Sequence, residues 1–150
     1  MIKGVDYVGV CVVYFCRDGK GNILMAKRSK NSRDEHGKWD IGGGGVEFGE
    51  TIDATLKKEI KEEYCAKVLS YEFLGFRDVH RTLKRQKTHW IALDYKVLID
   101  PKGVKIGEPE KFDAIKWFTK TTLPKNSHSQ FPEFLRKYKE TLRIWSQGLN

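Results

Sequence analysis

Residues 44–66 read GGVEFGETIDATLKKEIKEEYCA, and within them a glycine and four glutamates stand at fixed distances. Five residues separate Gly44 from Glu50, and seven more lead to Lys58-Glu59-Ile60-Lys61-Glu62-Glu63. From Thr51 onward the apolar residues Ile52, Leu56 and Ile60 recur every fourth position, the pattern of a helix with one buried stripe. Thr51 suits the N-cap of that helix, and Asp53 suits its positive end. At about 100° per residue, Glu59, Glu62 and Glu63 border the apolar stripe, while Lys57, Lys58 and Lys61 fall on the opposite side. A plain solvated helix has no reason to put its acids beside the buried face and its bases away from it. Glu59 and Glu63 lie one turn apart, and their like charges oppose the helix by a few tenths of a kcal/mol. Partial burial raises that cost. A divalent cation removes it, because hard carboxylate oxygens suit Mg²⁺ or Mn²⁺.

The chain on either side of this stretch supplies a scaffold. Four glycines, Gly42 to Gly45, follow Lys38-Trp39-Asp40-Ile41 and suit a backbone that bends sharply and lets a bulky group come close. Val8 to Phe15 is a β-branched, apolar run, and the turn residues Arg17 to Asn22 join it to a second strand at Ile23 to Lys27. Asn31 to Lys38 reads as a polar loop. Further strands are expected at Val68 to Phe76, His89 to Ile99 and Ala114 to Phe118, with a turn-rich connection from Pro101 to Pro109. Phe131 to Trp145 has the pattern of one amphipathic helix. No repeat or internal linker interrupts the chain. The order of elements predicts one α/β/α domain over residues 1–150, built on a mixed sheet between helices.

Composition narrows the function classes. One hundred and fifty residues is about one domain and enough to bury most of its apolar surface. No stretch approaches the roughly 20 apolar residues of a membrane span, and Met1 to Asp6 lacks the apolar centre of a secretory signal. Cys11, Cys16 and Cys65 are odd in number and have no paired spacing, so reduced thiols in a cytoplasmic protein are expected and a zinc site is not. The formal charge of +8 gathers at Lys27 to Lys30, Arg81 to Lys87 and Arg136 to Lys139. Such a field favours encounter with polyanions: nucleotides, polyphosphate or RNA. Among the histidines, His80 and His128 are the candidates for a site rim, and His36 and His89 carry no signal of their own. Phe48, Phe76, Trp90 and Trp117 are aromatic enough to stack on a base, although core packing explains such spacing as well.

The spacing in residues 44–66 resembles the signature of the Nudix hydrolases, GX5EX7REUXEEXGU with U a bulky aliphatic residue. Gly44, Glu50, Glu59, Ile60, Glu62 and Glu63 match it; Lys58, Cys65 and Ala66 stand where arginine, glycine and a bulky residue are usual. Six matches should arise by chance in on the order of one chain of this length in ten thousand or fewer. Trp39 to Gly43 and Ile115 to Phe118 resemble the segments that flank the motif in that family.

The resemblance implies a Nudix-type α/β/α sandwich that hydrolyses, with water and Mg²⁺ or Mn²⁺, a nucleoside diphosphate joined to another group. It implies Glu59 and Glu63 as metal ligands, Glu62 as a ligand or the water-activating base, and a backbone carbonyl from Gly44 or Gly43. Glu50 would hold loop and helix in register, and Lys58 would orient a glutamate. A further carboxylate would come from Glu108, Glu110 or Asp113, and phosphate would meet Arg28 or Lys27. A nucleoside or deoxynucleoside triphosphate is the expected substrate of a monomer or homodimer. ADP-ribose, dinucleotide polyphosphates and capped RNA stay open, as does a non-catalytic nucleotide or RNA sensor. Lysine at position 58 keeps the charge of arginine but not its planar fork. Cysteine at position 65 costs roughly 1–2 kcal/mol if the backbone there turns left-handed.

Overall fold

The computed structural model describes residues 1–146, with side chains to Leu142, and its central strand is β1, Gly9–Arg17. Successive residues of a strand face opposite sides, and both sides of this one are buried. Val12, Tyr14 and Cys16 pack in one cluster with Leu56, Ile60 and Tyr64. Phe15 packs in a second cluster with Phe131, Phe134 and Tyr138. Burial on both faces is why the run is apolar throughout instead of alternating.

Strand β1 pairs in parallel with β6 (Gln86–Ile99), which pairs antiparallel with β5 (Val68–Leu83). On its other side β1 meets β2 (Ile23–Arg28) at a single register pair, Arg17 with Ile23. The two strands part beyond their turn, and β4 (Gly43–Gly45) lies against β1 in the gap. β2 carries β3 (Trp39–Asp40) and β7 (Phe112–Phe118). The result is one mixed sheet of order β3-β2-β1-β6-β5, with β4 on β1 and β7 on β2. Helix α1 (Ile52–Tyr64) covers one face, and α2 (Phe131–Lys137) with α3 (Lys139–Ser146) the other. The α/β/α layering is as expected. No helix among the described residues is long and apolar enough to cross a membrane.

Helix α1 begins and ends as its sequence dictates. Thr51 Oγ1 accepts a hydrogen bond from the Ala54 N–H at 3.1 Å. Cys65 closes the helix in the left-handed conformation (φ 55, ψ 29), so the chain carries the strain expected of a side chain there.

Three expectations need correction. The fifth strand runs to Leu83, not Phe76, and the sixth starts at Gln86; Lys84 and Arg85, both at positive φ (49 and 67), make a two-residue hairpin turn. The polar residues from Arg77 to Leu83 hid that extension, because a strand facing a wet cavity is not apolar. The C-terminal helix is two helices divided at Tyr138 (φ −106, ψ 22). The glycine run bends only at Gly42 (φ 112), and its remaining three residues form β4.

Gly42 illustrates how tightly this region is set. A Cβ there would lie 2.4 Å from the Tyr14 ring, on a backbone that side chains rarely adopt. Gly42→Ala is expected to cost about 1–3 kcal/mol in urea unfolding; an unchanged midpoint would show that the turn relaxes freely.

Candidate active site

Between β4, the β5–β6 hairpin and α2 lies a cavity of about 450 Å³. Gly42 to Gly45 and Glu63 form one side; Arg77, Val79, Arg81 and Trp90 form the hairpin wall; Phe131 and Phe134 contribute from α2. Of the predicted acids only Glu63 is in its lining, where Asp34 and Asp40 add two further carboxylates; Glu59, Glu62 and Glu108 lie outside it.

Glycines decide which carboxylates approach. A Cβ on Gly44 would lie 2.3 Å from Glu59 Cδ, so glycine at that position lets the Glu59 carboxyl lie over the β4 backbone. Glu63 is 4% exposed and accepts a hydrogen bond from the Tyr14 hydroxyl. A Cβ on Gly107 would lie 1.9 Å from the Glu62 carbonyl oxygen, and the Gly107 N–H donates to Glu63 O at 3.0 Å. Glycine there lets the chain pass against the end of α1 and delivers Glu108 to the group. Of the three candidates for a further acid, Glu108 influences both Glu59 and Glu63, whereas Glu110 and Asp113 are exposed. Asp40, immediately before the glycine run, also acts on Glu63.

The electrostatics follow from this crowding. Burial pushes the Glu63 carboxyl up to about 8; the Tyr14 hydrogen bond opposes the rise, while Asp40, Glu59 and Glu108 add to it. Burial, then Glu62, also raises Glu59, against Lys58 and Lys111. Glu108 Oε1 is buried without a hydrogen-bond partner. No three carboxylates among the described residues bring their oxygens within 4.8 Å of one another. An all-oxygen donor set, a buried acid held above its normal range and an orphaned carboxylate oxygen together fit a hard divalent cation.

Glu50 stands outside the cavity and ties the loop to the helix. Its Oε1 accepts from the Glu47 N–H at 3.0 Å and the Thr55 hydroxyl at 3.2 Å. Lys58 Nζ reaches its Oε2 at 2.6 Å and lies 3.9 Å from Glu59 Oε1. Lys58, which the helical angle alone puts away from the acids and the resemblance gives as orienting a glutamate, curls back to them; its long stem overrides the helical angle. Chiefly the Lys58 hydrogen bond, then the Glu47 N–H, holds Glu50 below its usual range.

The cations divide. Arg28 lines the cavity and pairs with Asp34 at 3.0 Å and Asp40 at 3.6 Å. Lys27, the other phosphate candidate, is not among the lining residues, because adjacent strand positions face opposite ways. Gly43 is in the lining.

Further residues line the cavity, among them the rim candidate His128 and the stacking candidate Trp90. Arg81 pairs with Asp34 at 3.1 Å and Glu35 at 2.7 Å, and His128 Nε2 lies 3.2 Å from the same Glu35 carboxylate. His128 Nδ1 accepts from the Gln130 N–H, so Nε2 is the nitrogen that carries its proton. Burial works to raise Glu35, but hydrogen bonds from Ser129, then His128 and Arg81, hold it low. Cys11 also lines the cavity; burial, then Asp94, pushes its thiol up to about 11, which keeps it a poor nucleophile. Trp90 is the aromatic candidate that reaches the cavity. Trp117 packs on the core, and Phe48 and Phe76 are exposed.

Comparison with known proteins bears on family and fold. A family model described as the NUDIX domain matches residues 7–138. Nucleoside triphosphatase NudI of Escherichia coli (strain K12 / DH10B) is 32% identical over 104 residues, 65% of this chain and 72% of that protein. The crystal structure of MutT NUDIX hydrolase from Burkholderia pseudomallei superposes with a TM-score of 0.70 at 23% identity, over 97% of this chain and 100% of that one. MutT protein from Methanosarcina mazei Go1 does so with a TM-score of 0.70 at 23% identity, over 89% and 94%. At such identities the structures show a shared fold.

Proposed function

The chain belongs to the NUDIX domain family and is a Nudix hydrolase, and from that premise we propose that it cleaves a phosphoanhydride bond of a nucleoside or deoxynucleoside triphosphate with Mg²⁺ or Mn²⁺. One observation carries the reading: a cavity of about 450 Å³, within the range of small-ligand sites, has the carboxylates of Glu63 and Asp40 at one side and Arg28, Arg77, Arg81 and Trp90 in its walls. The name of the NudI relative, a nucleoside triphosphatase, supports the same substrate class.

In this reading Glu59 and Glu63, the Gly44 carbonyl or its neighbour at Gly43, and Glu108 are the groups that would hold the cation. A bound divalent cation supplies charge for phosphate oxygens and lowers the pKa of coordinated water. The protein does the rest. Glu62, exposed at the edge of the acidic group, takes the proton from the attacking water. Glu50 and Lys58 fix the loop against α1, so that Glu59 stays over Gly44. Trp90 offers a face to the base, and Arg28 and Arg81 hold phosphate by exchanging part of their pairing with Asp34.

Metal binding has a direct readout in stability. Mg²⁺ or Mn²⁺ is expected to raise the melting temperature of the wild type, since a ligand of the folded state alone stabilises it. Glu63→Gln removes one charge at nearly constant shape and is expected to lose most of that rise. Equal shifts in both proteins would place the cation elsewhere. The substrate is tested by phosphate and pyrophosphate release over a panel of nucleoside triphosphates, ADP-ribose, dinucleotide polyphosphates and capped RNA. Preferred turnover of a triphosphate supports the reading; preference for any other member reassigns the substrate. Tight binding without turnover identifies a sensor.

A further inference from the structure

Behind the cavity wall, on the outer face of the β5–β6 hairpin, we propose a second metal site formed by Asp78, His80 and His89, suited to a transition ion such as Zn²⁺. Strand pairing builds it. His80 on β5 stands directly opposite His89 on β6, and Asp78 lies two residues before His80 on the same face. Arg77, Val79, Arg81 and Leu83, with Thr88 and Trp90, line the nucleotide cavity. The intervening positions 78, 80 and 89 therefore face away from it.

The three side chains already converge. One ligand atom from each lies within 4.8 Å of the others. The two imidazole rings stack with centroids 4.1 Å apart and planes 29° apart. His89 Nε2 lies 3.1 Å from Asp78 Oδ1. In a tetrahedral zinc site with bonds of about 2.0–2.2 Å, donors stand roughly 3.3 Å from one another. The largest separation here must close by about 1.5 Å or less to meet that value. Rotation of the side chains suffices, since Asp78 and His80 are exposed and His89 is partly so. A second opening, lined by His80, His89 and the segment from Gly4 to Val8, gives the ion a way in.

Donor type separates this site from the acids on α1. Two imidazoles and one carboxylate favour Zn²⁺, Ni²⁺ or Cu²⁺, whereas an all-oxygen set favours Mg²⁺ or Mn²⁺. Three protein ligands leave a fourth position for water. The ion would bridge β5 to β6 three positions from the hairpin turn, and so brace the strands that carry Arg81 and Trp90 into the cavity. Cysteine spacing gave no sign of such a site, because these residues become neighbours only through strand pairing.

The test uses the full chain in excess Mg²⁺, which saturates the carboxylate site, with ZnCl₂ titrated calorimetrically. Wild-type protein should bind one equivalent. Loss of an outer-shell partner typically costs about 10–100-fold in metal affinity, so loss of a ligand should cost at least about tenfold. His80→Asn and His89→Asn should each show that loss while melting, without zinc, as the wild type does. In imidazole NMR spectra zinc should shift His80 and His89 and leave His36 and His128 in place. Equal zinc affinity in wild type and both variants, or no shift of these two rings, would overturn the site.

Discussion

Glu62→Gln is expected to lower kcat by about 10²–10⁴-fold, the usual cost of losing a general base, with little change in nucleotide affinity. The side chain is exposed and belongs to neither core cluster, so its loss should leave the fold unchanged. Yet it is not remote from the site, since its charge is the second cause of the raised Glu59 carboxyl. Such a group can take a proton without holding the structure together. Glu59→Gln and Glu63→Gln should differ in kind: they also raise the metal concentration needed for half activity. Comparing kcat and that concentration across the three variants separates the base from the ligands. Full activity in Glu62→Gln would move the base to Glu108 or His128.

Asp94→Ala should be strongly destabilising, at about 3–5 kcal/mol, because it leaves the half-buried guanidinium of Arg77 without its partner. Asp94 is fully buried, and Arg77 holds it with two bonds, Nε to Oδ2 at 2.7 Å and Nη2 to Oδ1 at 2.9 Å. The Tyr138 hydroxyl donates to Oδ2 at 2.5 Å, which joins the break between α2 and α3 to the sheet. With about 2–4 °C per kcal/mol for a chain of this size, the melting temperature should fall by roughly 6–20 °C. Arg77→Met combined with Asp94→Leu should recover most of the loss, since a matched apolar pair replaces a buried ion pair with little penalty. A fall of less than about 1 kcal/mol in Asp94→Ala would mean that water reaches Arg77 through the cavity.

How much of this was legible in the sequence depended on distance along the chain. The helix from Ile52 to Tyr64 writes its stripe, its cap and three of its acids within fourteen residues, so local periodicity was enough. Lys58 was misplaced because a helical angle locates a Cβ and not the end of a four-carbon stem. The choice of Glu108 over Glu110 and Asp113 was hidden, because it is made where Gly107 passes the Glu62 carbonyl, a contact between segments far apart in the chain. Arg77 and Arg81 were hidden for the same reason: their acidic partners lie on other elements, whereas of the two histidines expected at the rim His128 lines the cavity and His80 does not, since it faces the other side of its strand. A polar strand facing a cavity also lacks the apolar alternation by which strands are recognised.

The most direct measurement follows one nucleoside triphosphate by ³¹P NMR, with wild-type protein and Mg²⁺ in ¹⁸O-enriched water and again with a chelator. A Nudix-type phosphoanhydride hydrolysis on these carboxylates should yield two phosphate-containing products, ¹⁸O in only one of them, and no reaction once the metal is removed. Undiminished cleavage in the chelator, or no cleavage of any nucleotide with Mg²⁺ or Mn²⁺ present, would contradict it.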